Sequence, residues 1–425
     1  MTPTGKDADM KRHPWLTRTV VVLTLVSLTQ DAASELLYPL LPVLLTTVLA
    51  APPAVIGIIE GVAEAAAGVA KLISGRLSDR YGRRPVTGTG YALAAVGKVI
   101  VAAAGAWPMV MVGRVTDRLG KGTRSAARDA WLAASVPPEA LGKAFGFHRM
   151  GDTLGAVIGP LLGLWILSRS HDDLQLALWV AVVPAVLSVG LVFLARETPR
   201  PRQTPVMHEV AAREDGAGPT EHHSEPGQGL ATGRHNPLGP VFWRVVGLLG
   251  AVALINFPDA LLLLRLHDLD WSTPAVLIGY VAYNLVYTVA ALPAGALADR
   301  IPPAGVYAVG LVFFGAAYLG LGTVAGGPNS WLTWALLALY GLFPACTDGV
   351  GKAWVSALVP DTVRGRAQGY FQAVGNAAVF AAGLWAGLLW DAGSGEGRIP
   401  LAISGCSGIV AAVCMWFIAV RSRLR

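Results

Sequence analysis

The chain has 425 residues, 54% hydrophobic and only 14% charged, with a net charge of +6. A soluble domain carries about 25% charged residues, so the composition excludes an ordinary aqueous protein and points to lipid as the solvent. The positive excess is no nucleic-acid footprint, because its residues gather in short loops on one predicted side of a series of apolar runs.

Residues 1–16 form a basic tail. Twelve apolar segments follow, each near the ~20 residues that cross a bilayer. They cover 17–47, 53–73, 86–105, 108–128, 144–168, 174–195, 241–265, 273–294, 304–325, 329–353, 366–390 and 399–420. Backbone groups in lipid must be satisfied within the segment, so all twelve are expected to be helices. Basic residues before the first run, and Val48-Leu49-Ala50 after it, resemble a cleavable leader. That run is too long for one and contains Asp31 and Glu35, so it is read as a retained span.

Ionisable residues inside spans are costly and are functional hypotheses by default. Asp31 and Glu35 lie one turn apart on one face of span 1, suited to hold a proton or a cationic substrate; the plainer alternative is an ion pair with a neighbouring helix. Span 2 carries Glu60, Glu64 and Lys71 on one face, with Glu64 the mid-membrane candidate. Lys98 of span 3 is a counter-charge for either acidic set. Span 4 is the most charged, with Arg114, Asp117, Arg118, Lys121, Arg124, Arg128 and Asp129. His148, Arg149 and Asp152 open span 5 and are expected near the aqueous surface. Residues 196–240 are rich in Pro, Gly, Glu, Arg and His without periodicity, and read as a linker. The spacing of His208, His222, His223 and His235 there matches no tight metal site. Beyond it come Asn256 and Asp259 in span 7, Asn284 in span 8, Asp348 and Lys352 in span 10, and Asn376 in span 11. Asp348 and Lys352, at i and i+4, are expected to pair with each other. Cys346, Cys406 and Cys414 all fall within spans and give no disulfide framework or metal motif.

The chain repeats itself. Ser74-Gly75-Arg76-Leu77-Ser78-Asp79-Arg80 returns as Ala294-Gly295-Ala296-Leu297-Ala298-Asp299-Arg300, an offset of 220 (295 − 75). Residues 130–146 match 353–369 at an offset of 223 (353 − 130), with eight of seventeen positions identical. An apolar chain of two similar halves is the pattern of a secondary transporter.

These features together resemble the major facilitator superfamily over essentially the whole chain. The loop Gly75, Asp79, Arg80, Gly82, Arg83, Arg84 is similar to the family signature between helices 2 and 3. Its partial copy, Gly295, Asp299 and Arg300, continues as Ile301-Pro302-Pro303, which implies a weaker second gate. Gly155, Gly159, Pro160 and Gly163 in span 5 resemble the pattern of proton-coupled exporters, although glycines at this spacing also serve generic packing.

The resemblance implies an all-α membrane protein of twelve transmembrane helices in two pseudo-symmetric six-helix bundles, 17–195 and 241–420, with a linker at 196–240 and a tail at 421–425. It implies that Asp79 sits at the N-terminus of helix 11 near Arg364 and Gly365, that Arg83 pairs with Asp129 or Asp117, and that substrate binds at mid-membrane on helices 1, 4, 7 and 10. Arg114 is the nearest match to a helix 4 arginine linked to proton transfer.

The expected function is proton-coupled antiport exporting a small organic compound, with Asp31, Glu35, Glu64, Lys98, Arg114, Asn256, Asp259 and Asp348 as coupling or substrate residues. Uptake of a small solute, lipid flipping, and a receptor or scaffold without turnover are the alternatives. No nucleophile–base constellation or phosphate-binding loop appears, so neither an enzyme nor a cofactor or resident metal is expected. Expected partners are the small-molecule substrate, protons and the bilayer, with a monomeric chain and no nucleic acid. The distribution of Lys and Arg places both termini in the cytoplasm, in a bacterial-type inner membrane.

Overall fold

The computed structural model describes residues 15–38, 40–170, 173–197, 238–324, 327–328, 330–393 and 395–423. Most of the expected linker and its four histidines lie outside these. Regular structure among the described residues is entirely helical. The long helices are α1 (Arg18–Leu37), α2 (Pro53–Tyr81), α3 (Arg83–Ala102), α4 (Trp107–Ala134), α5 (Leu141–Arg169), α6 (Leu174–Val192), α7 (Pro240–Ala253), α8 (Asp259–Asp268), α9 (Thr273–Ala298), α10 (Pro303–Thr323), α11 (Trp331–Ala357), α12 (Arg364–Leu388) and α13 (Arg398–Arg423).

Two spans depart from uniform helices. The first ends at Leu37, and the chain resumes as a short turn, Leu40–Val43, running into a π-helical turn, Leu44–Val48. The seventh breaks in two. Pro258 lacks an N–H and disfavours helical backbone at Phe257, so α7 stops at Ala253 and α8 restarts at Asp259. The opened backbone is bonded from neighbouring helices: Trp385 Nε1 donates to the Leu254 carbonyl at 3.0 Å.

Among the described residues, eight helices are long and apolar enough to cross a membrane on those grounds alone. The fourth span falls short because it carries many charges, which the fold hides between helices. Arg114, Asp117, Arg124, Arg128 and Asp129 of α4 are all buried.

The packing follows the internal repeat. In the first half α3 packs on α4, α1 on α5, α2 on α4 and α3 on α6; in the second, α10 packs on α11, α7 on α12, α9 on α11 and α10 on α13. The halves meet through α5 against α9 and through α2 against α12. Their backbones touch at matched glycines. A Cβ on Gly75 would lie 2.5 Å from the Gly365 carbonyl oxygen, and one on Gly295 would overlap that of Gly142. Only glycine permits both approaches.

Candidate transport site and gate

At the end of the molecule bearing the Gly75 and Gly295 motifs, the two halves are hydrogen-bonded to each other. The Asp79 carboxylate accepts hydrogen bonds from the N–H groups of Gly365 (3.0 Å) and Arg366 (2.8 Å) at the start of α12. Asp299 does the same at the start of α5, accepting from Gly142 (2.6 Å) and Lys143 (2.9 Å). Each anion sits on the positive end of a helix dipole of the other half. The second copy therefore closes with the same two-donor geometry as the first, despite its shortened sequence.

The first gate has additional contacts. Gly82 turns the chain at φ +104°, a conformation that favours glycine, and starts α3 at Arg83. Arg83 pairs with Asp361 at 2.9 Å and donates to its carbonyl at 2.8 Å. This corrects the expected pairing with Asp129 or Asp117, because both acids are already engaged. Asp117 holds Lys98 at 2.7 Å, and Asp129 holds Arg128 at 3.2 Å and Lys352 at 2.9 Å. Arg84 donates to the Phe193 carbonyl and Arg80 lies over the Tyr81 ring. Arg76 donates to Tyr370 Oη at 2.6 Å. Arg76, Asp79, Arg80, Thr362 and Arg366 line an open cavity of 390 Å³.

Above the gate, ion pairs cross between the halves. Arg149 pairs with Asp348 across the halves and with Asp152 in its own helix; Lys352 pairs with Asp129 across the halves, and the Gln372 amide donates to the same acid. Asp348 and Lys352 thus bind separate partners in the other half rather than each other, as the helical spacing alone had suggested. Asp129 and Lys352 are themselves related by the repeat, at the offset of 223 (352 − 129). Residues related by a pseudo-two-fold can touch only on its axis, so this pair marks it. His148 and Asp152 are buried, not solvated. The reason is that α5 lies against both α1 and α9, so its first turns sit inside the interface.

Three further first-half acids are paired within their own half. Glu60 takes Arg114 in a bidentate bridge at 2.7 and 2.9 Å, Glu64 takes Arg118 at 3.2 Å, and Asp31 lies 3.9 Å from Arg124. Lys98 is committed to Asp117 and serves neither expected acidic set.

Glu35 and Asp259 differ. Glu35 accepts from Tyr280 Oη of the opposite half at 3.3 Å. Asp259, at the first position of α8, accepts from Tyr283 Oη at 2.7 Å and from Tyr340 Oη. Asn256, in the break before α8, lies 3.5 Å from Tyr318 Oη. Sequence reasoning missed these tyrosines. Their signal was present, since Tyr280, Tyr283 and Tyr287 recur at three- and four-residue steps on one face of α9.

The glycines of α5 stand behind the acids of α1. A Cβ on Gly155 would lie 2.5 Å from the Leu28 carbonyl and 3.2 Å from Asp31 Cβ. One on Gly159 would lie 2.6 Å from the Ala32 carbonyl and 2.9 Å from Glu35 Cβ. Pro160 sits inside the helix, and Gly163 meets Leu36 more loosely at 3.5 Å.

A family model for the Major Facilitator Superfamily matches residues 23–282 and 245–425. An uncharacterized MFS-type transporter of Methanocaldococcus jannaschii is 28% identical over 384 residues, covering 88% of this chain and 89% of that protein. The multidrug resistance protein MdtH of Photorhabdus laumondii is 30% identical over 117 residues, 28% of each chain. Among solved structures, the proton:xylose symporter XylE aligns with a TM-score of 0.73 at 16% identity, over 95% of each chain. Matched halves, paired gates and the family model agree: this chain belongs to the Major Facilitator Superfamily and is a multi-pass membrane transporter of the twelve-helix, two-bundle fold.

Proposed function

We propose that the protein is a proton-coupled antiporter that exports a small organic compound by alternating access. The gate end is assigned to the cytoplasm by its excess of Lys and Arg, and both termini to that side. Most inter-half hydrogen bonds and ion pairs described above lie toward the gate end, and Glu35 to Tyr280, near the far end of α9, lies farthest from it. The structure is therefore read as the state open to the far side.

The observation that carries the proposal is that link. Glu35 belongs to α1 of the first half and Tyr280 to α9 of the second. An intramembrane carboxylate that is itself an inter-half contact can transmit its protonation to the rocking motion. Ionised, it accepts strongly from the tyrosine; protonated, it loses the charge-assisted part of that bond. Export is supported by the α5 glycines, which hold the acid-bearing turn of α1 directly against α5. Asp31 is the neighbouring acid, moderated by Arg124.

The test is a pH-gradient assay in proteoliposomes of known orientation, with a panel of compounds of different charge. A compound that dissipates an imposed gradient, and does so at least tenfold less with Glu35→Gln, supports the proposal. Undiminished proton-dependent exchange by a folded Glu35→Gln protein sinks it. Net accumulation in right-side-out vesicles, driven by inward proton flow, would reverse the direction.

A further inference from the structure

The acids of the spans divide by their partners. Glu60, Glu64, Asp31, Asp117, Asp129, Asp152 and Asp348 each have an Arg or Lys nitrogen within 4.0 Å. Glu35 and Asp259 have none among the described residues; their partners are tyrosine hydroxyls. The N-terminus of α8 gives Asp259 a partial compensation of about half a charge. Arg118 bears on Glu35, and it is engaged by Glu64 and Glu60. Asp348 also bears on Asp259 and Asp31 on Tyr280, and both add negative charge.

The two acids are joined by aromatic rings. The Tyr280 and Tyr283 rings meet edge to face at 5.4 Å, and Tyr283 meets Tyr340 at 5.1 Å. Tyr283 and Tyr340 are buried, while Glu35, Asp259 and Tyr280 stay partly exposed. Two carboxylates without a counter-cation in a low-dielectric span are costly unless protons or a positive ligand neutralise them. Aromatic faces add attraction for an organic cation. A sugar or an anion gains nothing from this charge.

We infer that Glu35 and Asp259, bridged by Tyr280 and Tyr283, form a binding site for an organic monocation, an alkylammonium or arylphosphonium type, in competition with protons. Binding places the positive charge between the two carboxylates and releases a proton from one or both to the solvent. Asp31 and Glu64, already balanced by guanidinium groups, lie outside the site. The inference rests on the exchange reading for its turnover but not for the binding itself.

The experiment is equilibrium binding of tetraphenylphosphonium and tetramethylammonium to the purified full chain, at pH 6 and pH 8, in weak buffer so that proton release is read simultaneously. At least one probe binds, more tightly at pH 8, with proton release. Glu35→Gln and Asp259→Asn each weaken it about tenfold or more, equal to about 1.4 kcal/mol. Tyr280→Leu keeps both acids and still weakens binding several-fold; it decides the matter if either acid variant fails to fold. Absence of binding by both probes, or binding unchanged in these variants, overturns the site. If gradient dissipation persists with neutral or anionic compounds while neither cation binds, the site falls and the exchange reading stands. If the cations bind through Glu35 and Asp259 but nothing dissipates the gradient, the site stands and the exchange reading falls.

Discussion

The two halves share a fold and fill it differently. Among the described residues, the buried side chains of the first half include Lys71, Arg83, Lys98, Arg114, Asp117, Arg124, Arg128, Asp129, His148 and Asp152, whereas the one charged member in the second is Arg265. Where the first half has ion pairs, the second has rings. Phe314 stacks on Tyr318 at 4.1 Å and on Phe343 at 4.8 Å, and Tyr318 on Phe257 at 4.8 Å. One packing plan thus tolerates two interiors. The ion-paired half is constrained by partner identity, since each charge is affordable only with its opposite in place. The aromatic half is constrained by shape, and it keeps an acid, Asp259, whose only side-chain donors among the described residues are hydroxyls.

The largest expected effect breaks the ion-paired interior. Lys98→Met leaves Asp117 with a single long contact to Arg114 at 3.5 Å. A buried carboxylate stripped of its main partner costs about 3–5 kcal/mol. Thermal unfolding in detergent should show a large loss, and adding Asp117→Leu should recover most of it. Phe314→Ala in the other half should cost a similar ~3–5 kcal/mol by leaving a cavity, with no single second change able to rescue it. A rescue in the second half, or none in the first, would erase the distinction.

Where the halves are alike, they should fail alike. Gly75→Val and Gly295→Val both drive a side chain into the facing backbone carbonyl. Each should prevent the gate from closing and lower exchange about tenfold or more. Spin labels at the exposed Glu139 and Thr362, one in each half, should move to longer distances in both variants. An unchanged distance distribution in either one refutes the symmetric closure.

Much of this was legible before any coordinates. Helical spans follow from the lipid requirement, and the two inter-half contacts at Gly75 and Gly295 fall on the two copies of the repeat. Asp79 lies where the family signature implies, because a carboxylate near a helix N-terminus has a defined partner. The charge pairings were not legible. Arg83, Asp117, Asp129 and Lys98 offer several pairings of similar plausibility, and depth along neighbouring helices, which a one-dimensional pattern does not hold, selects among them. The break in span 7 was signalled by Pro258 within an apolar run. The tyrosines of α9 were overlooked because their rings read as core and their hydroxyls matter only once Glu35 and Asp259 are placed.

The axis pair gives an intermediate effect. Asp129 is buried and receives Lys352, Gln372 and Arg128 at once. Lys352→Met should lower exchange about tenfold, because the inter-half pair is lost while Arg128 still neutralises the acid. The swap Asp129→Lys with Lys352→Asp should restore part of that loss, since a pair on a pseudo-two-fold axis sees nearly the same surroundings from either side. Failure of the swap with a folded protein would mean that the local first-half partners, Arg128 above all, set the polarity.

The smallest effect separates the gates. Asp79→Asn and Asp299→Asn each remove an anion from a helix N-terminus, about 0.3–1 kcal/mol for an exposed end. The amide oxygen still accepts from one of the two N–H groups, while the amide NH2 replaces the oxygen that served the other. After Asp79→Asn, the Arg83 to Asp361 pair and the Arg76 to Tyr370 bond still tie that side. The second gate has Ile301 and Pro302 where the first has Tyr81 and Gly82, and its closure leans more on Asp299 itself. The same spin-label distances should therefore lengthen more with Asp299→Asn than with Asp79→Asn, by a shift of a few-fold in the open population. Equal shifts would show that the two helix caps carry closure equally and that the extra arginines of the first gate serve the surface rather than the lock; the reverse order would show that closure leans more on Asp79.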